Sequence, residues 1–348
     1  MSKYIYGIIN SNGNKPFFLD SPPALPVRQA GGEAGEEISF IVYQDIAAVV
    51  SDSELSDFSS LSNEKLARGL LKHQQVIEKV MADDTIIPMR LGTYASDEEE
   101  VRGILSKSHA LAKNAFNIIN NKIEMDLVAT WSDFSSIIKD VVEDKEIKEF
   151  KARLLSKPDG VTVNDQTKIG CMIRNALIKK RDGVSLQLQA AFNGACADLR
   201  IHEAMDDKMV CNIAFLVERC RQGEFEHKLD ELNKSFNDQL NFRCVGPLPA
   251  YSFYTLEVKK LRVEDIERAT ARLALKDICS RDAIKKAYQQ SALLFHPDKN
   301  PNKPEAIKEF EEINKAFRTL NECCEAYEQE ENGYSSDNNE IMLVKLKD

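Results

Sequence analysis

The chain has 348 residues, 43% hydrophobic and 29% charged, enough for two or three separate cores. Its formal net charge of −10 argues against nucleic acid as a main partner, and no run approaches the roughly 18 apolar residues of a membrane span. Met1–Asn10 is too polar for a secretory signal, and the eight cysteines lack paired zinc-ligand spacing, so reduced thiols in a cytoplasm and no metal or other cofactor are expected.

Tyr4–Ile9 is rich in aromatic and β-branched residues and reads as a strand, followed by a long turn-rich segment over 10–37. Ile38–Tyr43 and Ile46–Val50 read as two short strands around Gln44-Asp45. From Asn63 the period changes: Leu66, Leu70, His73, Ile77, Val80 and Met81 recur at three- and four-residue intervals, one stripe of an amphipathic helix facing a core. On that stripe His73 is expected as a core histidine bonded to backbone, since a catalytic or metal role needs convergent partners. Asp84–Tyr94 is strand-like, cut by Pro88 and Gly92. Its Arg90 points away from Met89 and Leu91, toward an ion pair or a partner. Ser96 and Glu99 have the spacing of a capping box opening the next helix, with Asp97–Glu100 over the positive dipole end.

Ile123–Trp131 alternates apolar and polar residues and opens a second domain. Helix to about Leu155, a break at Lys157-Pro-Asp-Gly160 and helix from about Asp165 to Asp182 are expected next. Gly183 and Gly194 leave open whether that helix continues toward His202. A strand at Met209–Val217, a helix at Glu224–Leu240 and strands at Phe242–Val245 and Ser252–Val258 follow. The order is compatible with an α+β sandwich of ferredoxin-like type. Gly246–Tyr251 reads as a rigid turn whose prolines fix φ, with a binding surface as the second reading. Neither a phosphate-cradling glycine loop nor a Gly-x-Ser-x-Gly elbow occurs, so no catalytic residue and no enzymatic activity are expected.

Three pieces carry a resemblance along residues 3–258: Tyr4-Ile-Tyr-Gly-Ile8; His73 through Ile77 followed by Ile87-Pro-Met-Arg-Leu-Gly-Thr93; and Val245-Gly-Pro-Leu-Pro-Ala-Tyr-Ser-Phe253. In this order and spacing they resemble the gas vesicle protein GvpF/GvpL family, with Met89, Leu91 and Leu248 where that family usually has Val, Phe and Trp. The resemblance implies two α+β domains, over 1–121 and 122–258. It also implies a minor component or assembly factor of gas vesicles in a prokaryotic cytoplasm, with gas vesicle structural proteins of the GvpA type and other accessory proteins as partners.

Farther on, Ser280 is placed to cap a helix with the stripe Ala283, Ile284, Ala287, Tyr288 and Leu294, which Pro297 stops. A helix from about Pro304 faces it with Ile307, Phe310, Ile313, Ala316, Phe317 and Leu320, and a helix around Glu264–Ile278 precedes both. Across 281–303 five cations stand against two acids, a patch that steers an acidic partner surface. Ile284-Lys-Lys-Ala-Tyr288, then Phe295-His-Pro-Asp-Lys-Asn-Pro301, then Phe310-Glu-Glu-Ile-Asn-Lys-Ala-Phe317 resemble the J domain of DnaJ-type co-chaperones over roughly 264–330. The resemblance implies a small all-α domain, assigned to 259–331, in which Lys285, Lys286, His296, Pro297, Asp298 and Lys299 contact a DnaK-type chaperone and promote its ATP hydrolysis. Gln289 and Gln290 stand where J domains carry a basic pair. Residues 332–348 read as a flexible acidic and polar tail, in which Ile341–Lys347 either docks as an edge strand or stays unstructured. Together these readings describe a gas vesicle accessory protein that brings a chaperone to apolar cargo, with a general co-chaperone for other clients as the alternative.

Overall fold

The computed structural model describes residues 1–11, 17–19, 36–53, 62–157, 160–276, 280–296, 299–300, 304–330 and 340–347. The chain forms two compact units, Met1–Ile118 with Tyr254–Asp348, and Ile119–Phe253.

In the first unit β1 (Lys3–Asn10), β2 (Phe17–Leu19), β3 (Glu36–Tyr43), β4 (Ile46–Asp52) and β5 (Ile86–Pro88) form a sheet in the order β2-β3-β4-β1-β5, and β6 (Tyr94–Ala95) also pairs with β1. β1 lies inside the sheet, which explains its unbroken buried run from Tyr4 to Ile9. A Cβ at Gly7 would lie 2.6 Å from the Ile86 side chain and 2.8 Å from the Ile87 carbonyl, so only glycine lets β5 approach. β2 falls inside the segment expected as one long turn; the flanking 12–16 and 20–35 lie outside the described residues.

Helices α1 (Asn63–Met81) and α2 (Glu98–Ile119) complete this part. His73, Ile77, Val80 and Met81 are buried as the stripe requires, but Leu66 and Leu70 are 38% and 50% exposed. Their azimuth is right and their height is wrong, because no residue of α1 before His73 is buried. The capping box at Ser96 is also displaced. The amide and hydroxyl of Ser96 donate to Glu100 at 2.7 Å each, and Asp97 accepts from the Glu100 amide at 2.9 Å, so Asp97 takes the capping role expected of Ser96, and Glu100 in place of Glu99 reaches back to Ser96.

The second unit contains β7 (Lys122–Trp131), α3 (Phe134–Val142), α4 (Lys145–Leu155), α5 (Val163–Ala191), β8 (Asp198–Ile201), β9 (Met209–Glu218), α6 (Gln222–Ser235) and β10 (Leu240–Leu248). All pairings are antiparallel, in the order β10-β7-β9-β8. Counted within the unit this is strand order 4-1-3-2, the ferredoxin-like arrangement. Ile123, Met125, Leu127, Ala129 and Trp131 face the core with Ile213, Phe215 and Val217, and the rings of Phe192 and Phe225 stack at 4.4 Å. α5 runs straight through Gly183, where an added Cβ would meet nothing within 4 Å; the residue costs only its propensity. α6 stops before Leu240 because Asn237 and Asp238 adopt φ of 46° and 58°, turning the chain into β10.

The chain then returns to the first unit as β11 (Leu256–Arg262), α7 (Val263–Arg272), α8 (Arg281–Phe295), α9 (Pro304–Glu330) and β12 (Glu340–Leu346). α7 ends earlier than expected, with Ala274 at φ 53°. Ile284, Ile313, Ala316 and Leu320 meet in one core with Ile266, Ala269 and Leu273 of the α7 segment. Leu294 and Ile307 are instead 70% and 47% exposed. Leu294 lies ten residues after Ile284, roughly 80° off the contact line at ~100° per residue, whereas Phe295 comes back to it. β12 pairs with β11 over its whole length, so part of the segment expected as a flexible tail is a strand; 331–339 lie outside the described residues. Its docking, and a parallel bridge from Met89 to Leu256, carry the packing across the boundaries expected near 258 and 331.

Candidate functional site

The helical hairpin supplies the first candidate site. Tyr288 of α8 stacks on Phe317 of α9 with centroids 4.2 Å apart, and its hydroxyl donates to Asn314 Oδ1 at 2.8 Å. This pins the inner face of α8 and leaves Lys285, Lys286, Gln289 and Gln290 exposed on the outer side. Leu293, four residues after Gln289 and seven after Lys286, adds a 59% exposed apolar group to that side. Arg281 is not available to the patch: its guanidinium donates to Glu328 at 2.9 and 3.1 Å and lies 3.9 Å from Glu325.

At the tip, the half-buried His296 ring meets Phe310 edge-on at 5.3 Å. Its carbonyl accepts from the amides of Lys299 and Asn300 at 3.0 and 3.1 Å, and the Asn300 side chain donates to the Leu294 carbonyl at 2.9 Å. These bonds satisfy carbonyls that the end of α8 leaves open. Of the six candidate residues, Lys285, Lys286 and Lys299 are exposed and His296 stands at the helix end; Pro297 and Asp298 lie outside the described residues.

A second cluster was not legible in the sequence. Glu124 and Asp126 alternate on the face of β7 opposite the core, and Glu124 is only 1% exposed. Its carboxylate accepts from the amide and hydroxyl of Ser252 at 2.8 and 2.7 Å, and His202 Nε2 lies 3.1 Å from the same hydroxyl. Burial pushes the Glu124 carboxyl above the usual carboxylate range against the pull of the Ser252 hydrogen bonds, and the Asp126 charge adds to the rise. Burial raises Asp126 as well, so burial disfavours the charged form of both carboxyls. Period-two alternation was the available signal for a shared face, but nothing in the sequence indicated that Ser252 would cover it. Gly246 stands at φ 154°, where a Cβ would lie 2.6 Å from Met125 Sδ, and its peptide bond to Pro247 is cis. The turn expected over Gly246–Tyr251 is displaced. β10 continues with an irregular register through Leu248, and the chain turns at Tyr251–Phe253, overlapping the segment expected as strand. Ser252 of that turn is anchored to β7 through Glu124.

The N-terminal motif pieces also converge. Tyr4 Oη lies 2.7 Å from His73 Nδ1 and accepts from the Gly92 amide at 3.3 Å, while the Met89 backbone bonds the same histidine. Burial pushes His73 down to about 4, so the ring is neutral at pH 7 and structural, as its place on the stripe implied. Arg90 makes an ion pair with Glu257 of β11. Among the described residues no group of three potential ligands is placed to hold a metal ion, and no helix is long and apolar enough to cross a membrane.

The family model described as gas vesicle synthesis protein GvpL/GvpF matches residues 2–255. The chain belongs to that family. A GvpF protein from Streptomyces sp. (strain CB03234) is 26% identical over 254 residues, covering 73% of this chain and 99% of the relative. The crystal structure of GvpF from Anabaena sp. PCC7120 matches the fold with a TM-score of 0.57 at 18% identity, over 72% of this chain and 97% of that one; GvpF from Microcystis aeruginosa gives the same TM-score. The DnaJ domain model matches residues 264–326. There the DnaJ chaperone protein of Chlorobium limicola is 51% identical over 41 residues, 12% of this chain and 10% of that protein. The GvpL/GvpF chain thus carries a DnaJ domain whose outer helical face and tip form the candidate site.

Proposed function

We propose that the protein is a gas vesicle assembly factor that binds gas vesicle proteins through its GvpL/GvpF fold and recruits a DnaK-type chaperone through its DnaJ domain. The carrying observation is the exposure of Lys285, Lys286 and Lys299 on the outer side of a hairpin whose inner side is locked, with His296 at the adjoining tip. Exposed cations of one sign accelerate encounter with an acidic surface, and Leu293 supplies apolar contact area beside them. Presenting cargo and chaperone on one chain raises their effective concentration to the order of millimolar. The site of action is the cytoplasm, at the growing vesicle.

This reading assigns the chain no catalytic step of its own. The test is stimulation of a DnaK-type ATPase by the wild type and by His296→Gln and Asp298→Asn. Loss of stimulation with unchanged helicity is expected, and full stimulation by either variant would overturn the docking mechanism. Co-purification from cells with and without gas vesicle subunits tests the cargo. Equal recovery of unrelated clients from both would make the protein a general co-chaperone.

A further inference from the structure

The DnaJ helices are held to the GvpL/GvpF fold at both ends. β11 leads into them and β12 leads out, and the two strands pair antiparallel from Leu256↔Leu346 to Arg262↔Glu340. Alternation gives this ribbon two faces. On one face Leu261, Ile341 and Leu343 share a core with Leu320, Cys323 and Ala326 of α9, while Lys259 and Lys345 both reach the carboxylate of Glu322. On the other, Lys260 pairs with Glu100 of α2. Lys107 of α2 donates to the Met342 carbonyl at 3.0 Å. β11 is fixed further by the Arg90 amide, which donates to the Leu256 carbonyl at 2.8 Å, and by the ion pair of Glu257 with Arg90. Both strands therefore engage the N-terminal fold and α9 together.

We propose that β12 is a clamp that closes the α9 end of the DnaJ domain and fixes the outer face of α8 in a set orientation on the GvpL/GvpF fold. Without β12, Leu261, Leu320 and Cys323 lose their cover from Ile341 and Leu343, Glu322 loses one of its two lysines, and β11 is left with an unpaired edge. A domain tied only through the β11–α7 junction pivots; one closed by a paired ribbon does not. The clamp extends the docking reading by stating how the docking face is presented, and its own evidence is the ribbon packing alone.

The test is amide hydrogen exchange on the whole chain, on a chain lacking residues 340–348, and on full-length Leu343→Asp, which sets a charge against the α9 core. Both variants are expected to lose roughly tenfold or more protection in β11 and in Leu320–Ala326 of α9, with β7 and β9 unchanged. A peptide covering 340–348, added in trans, is expected to restore protection to the truncated chain. Unchanged protection of α9 in both variants would overturn the clamp. So would a loss spread equally over β7 and β9, which would make β12 a general core element and not a clamp. No chaperone is present in the measurement, so its outcome is separate from that of the ATPase assay.

Discussion

Ser252 presents both its amide and its hydroxyl to the carboxylate of Glu124, 128 positions earlier in the chain. Because folding raises the Glu124 pKa from the ordinary 4.5 to about 8, the folded state binds more protons than the unfolded state between those values. The stability contributed is fully present below the unfolded pKa and is lost as pH rises through the folded one. Glu124→Gln keeps an acceptor for Ser252 and removes the proton. The variant is expected to show a flatter decline of stability from acid to alkaline pH in denaturant melts of the second unit. An identical pH profile would mean that Glu124 is ionised throughout.

His73 has the opposite sign. Its folded pKa of about 4 lies below the ordinary histidine value of 6.5, so the unfolded state binds more protons between those values. Stability is expected to fall as pH drops through that window, and to fall less in His73→Asn. Thermal melts at pH 7 and pH 4.5 provide the comparison.

Tyr4→Phe removes the hydroxyl that joins His73 Nδ1 to the Gly92 amide. Stranding the buried His73 nitrogen and the half-buried Gly92 amide is expected to cost about 1–3 kcal/mol. A chemical-denaturation midpoint equal to wild type would show that the groups find other partners.

Ile77 and Leu70 share an azimuth on α1, yet one is buried and the other half exposed. Ile77→Ala is expected to cost roughly 2–5 kcal/mol, as core truncations do, and Leu70→Ala about 0.5 kcal/mol or less. Equal losses in paired melts would mean that Leu70 is covered in solution.

On the outer side of α8, Gln289→Arg with Gln290→Lys is expected to tighten chaperone binding and steepen its salt dependence, since exposed charges are screened within about 8 Å at physiological salt. Binding titrations at low and high salt check this. Unchanged affinity at low salt would place the docking surface elsewhere.

The sequence was most informative where a residue's neighbours in the chain determine its environment. Alternation placed Ile123–Trp131 on β7, and the three- and four-residue period placed Ile284 and Ile313 in a shared core. Periodicity reports azimuth but not height, which is why Leu66 and Leu70 were expected inside. β8 is only four residues long and three of them are exposed, so it carries no apolar signal. Glu124 and Ser252 were individually unremarkable because their relationship depends on the turn at Tyr251–Phe253 that follows β10. In the DnaJ segment the motif residues showed where a docking face would be. The loss of Arg281 to Glu325 and Glu328 required α9 to be in place.

The ribbon also sets a timetable for synthesis. About 80 residues separate the paired ends of β11 and β12, an interval of roughly 4–16 s at ~5–20 residues per second. During that time α7, α8 and α9 emerge before the strand that secures them. Until β12 arrives, β11 is an edge open to another strand, so the newborn protein passes through a stage in which it is itself exposed to mispairing.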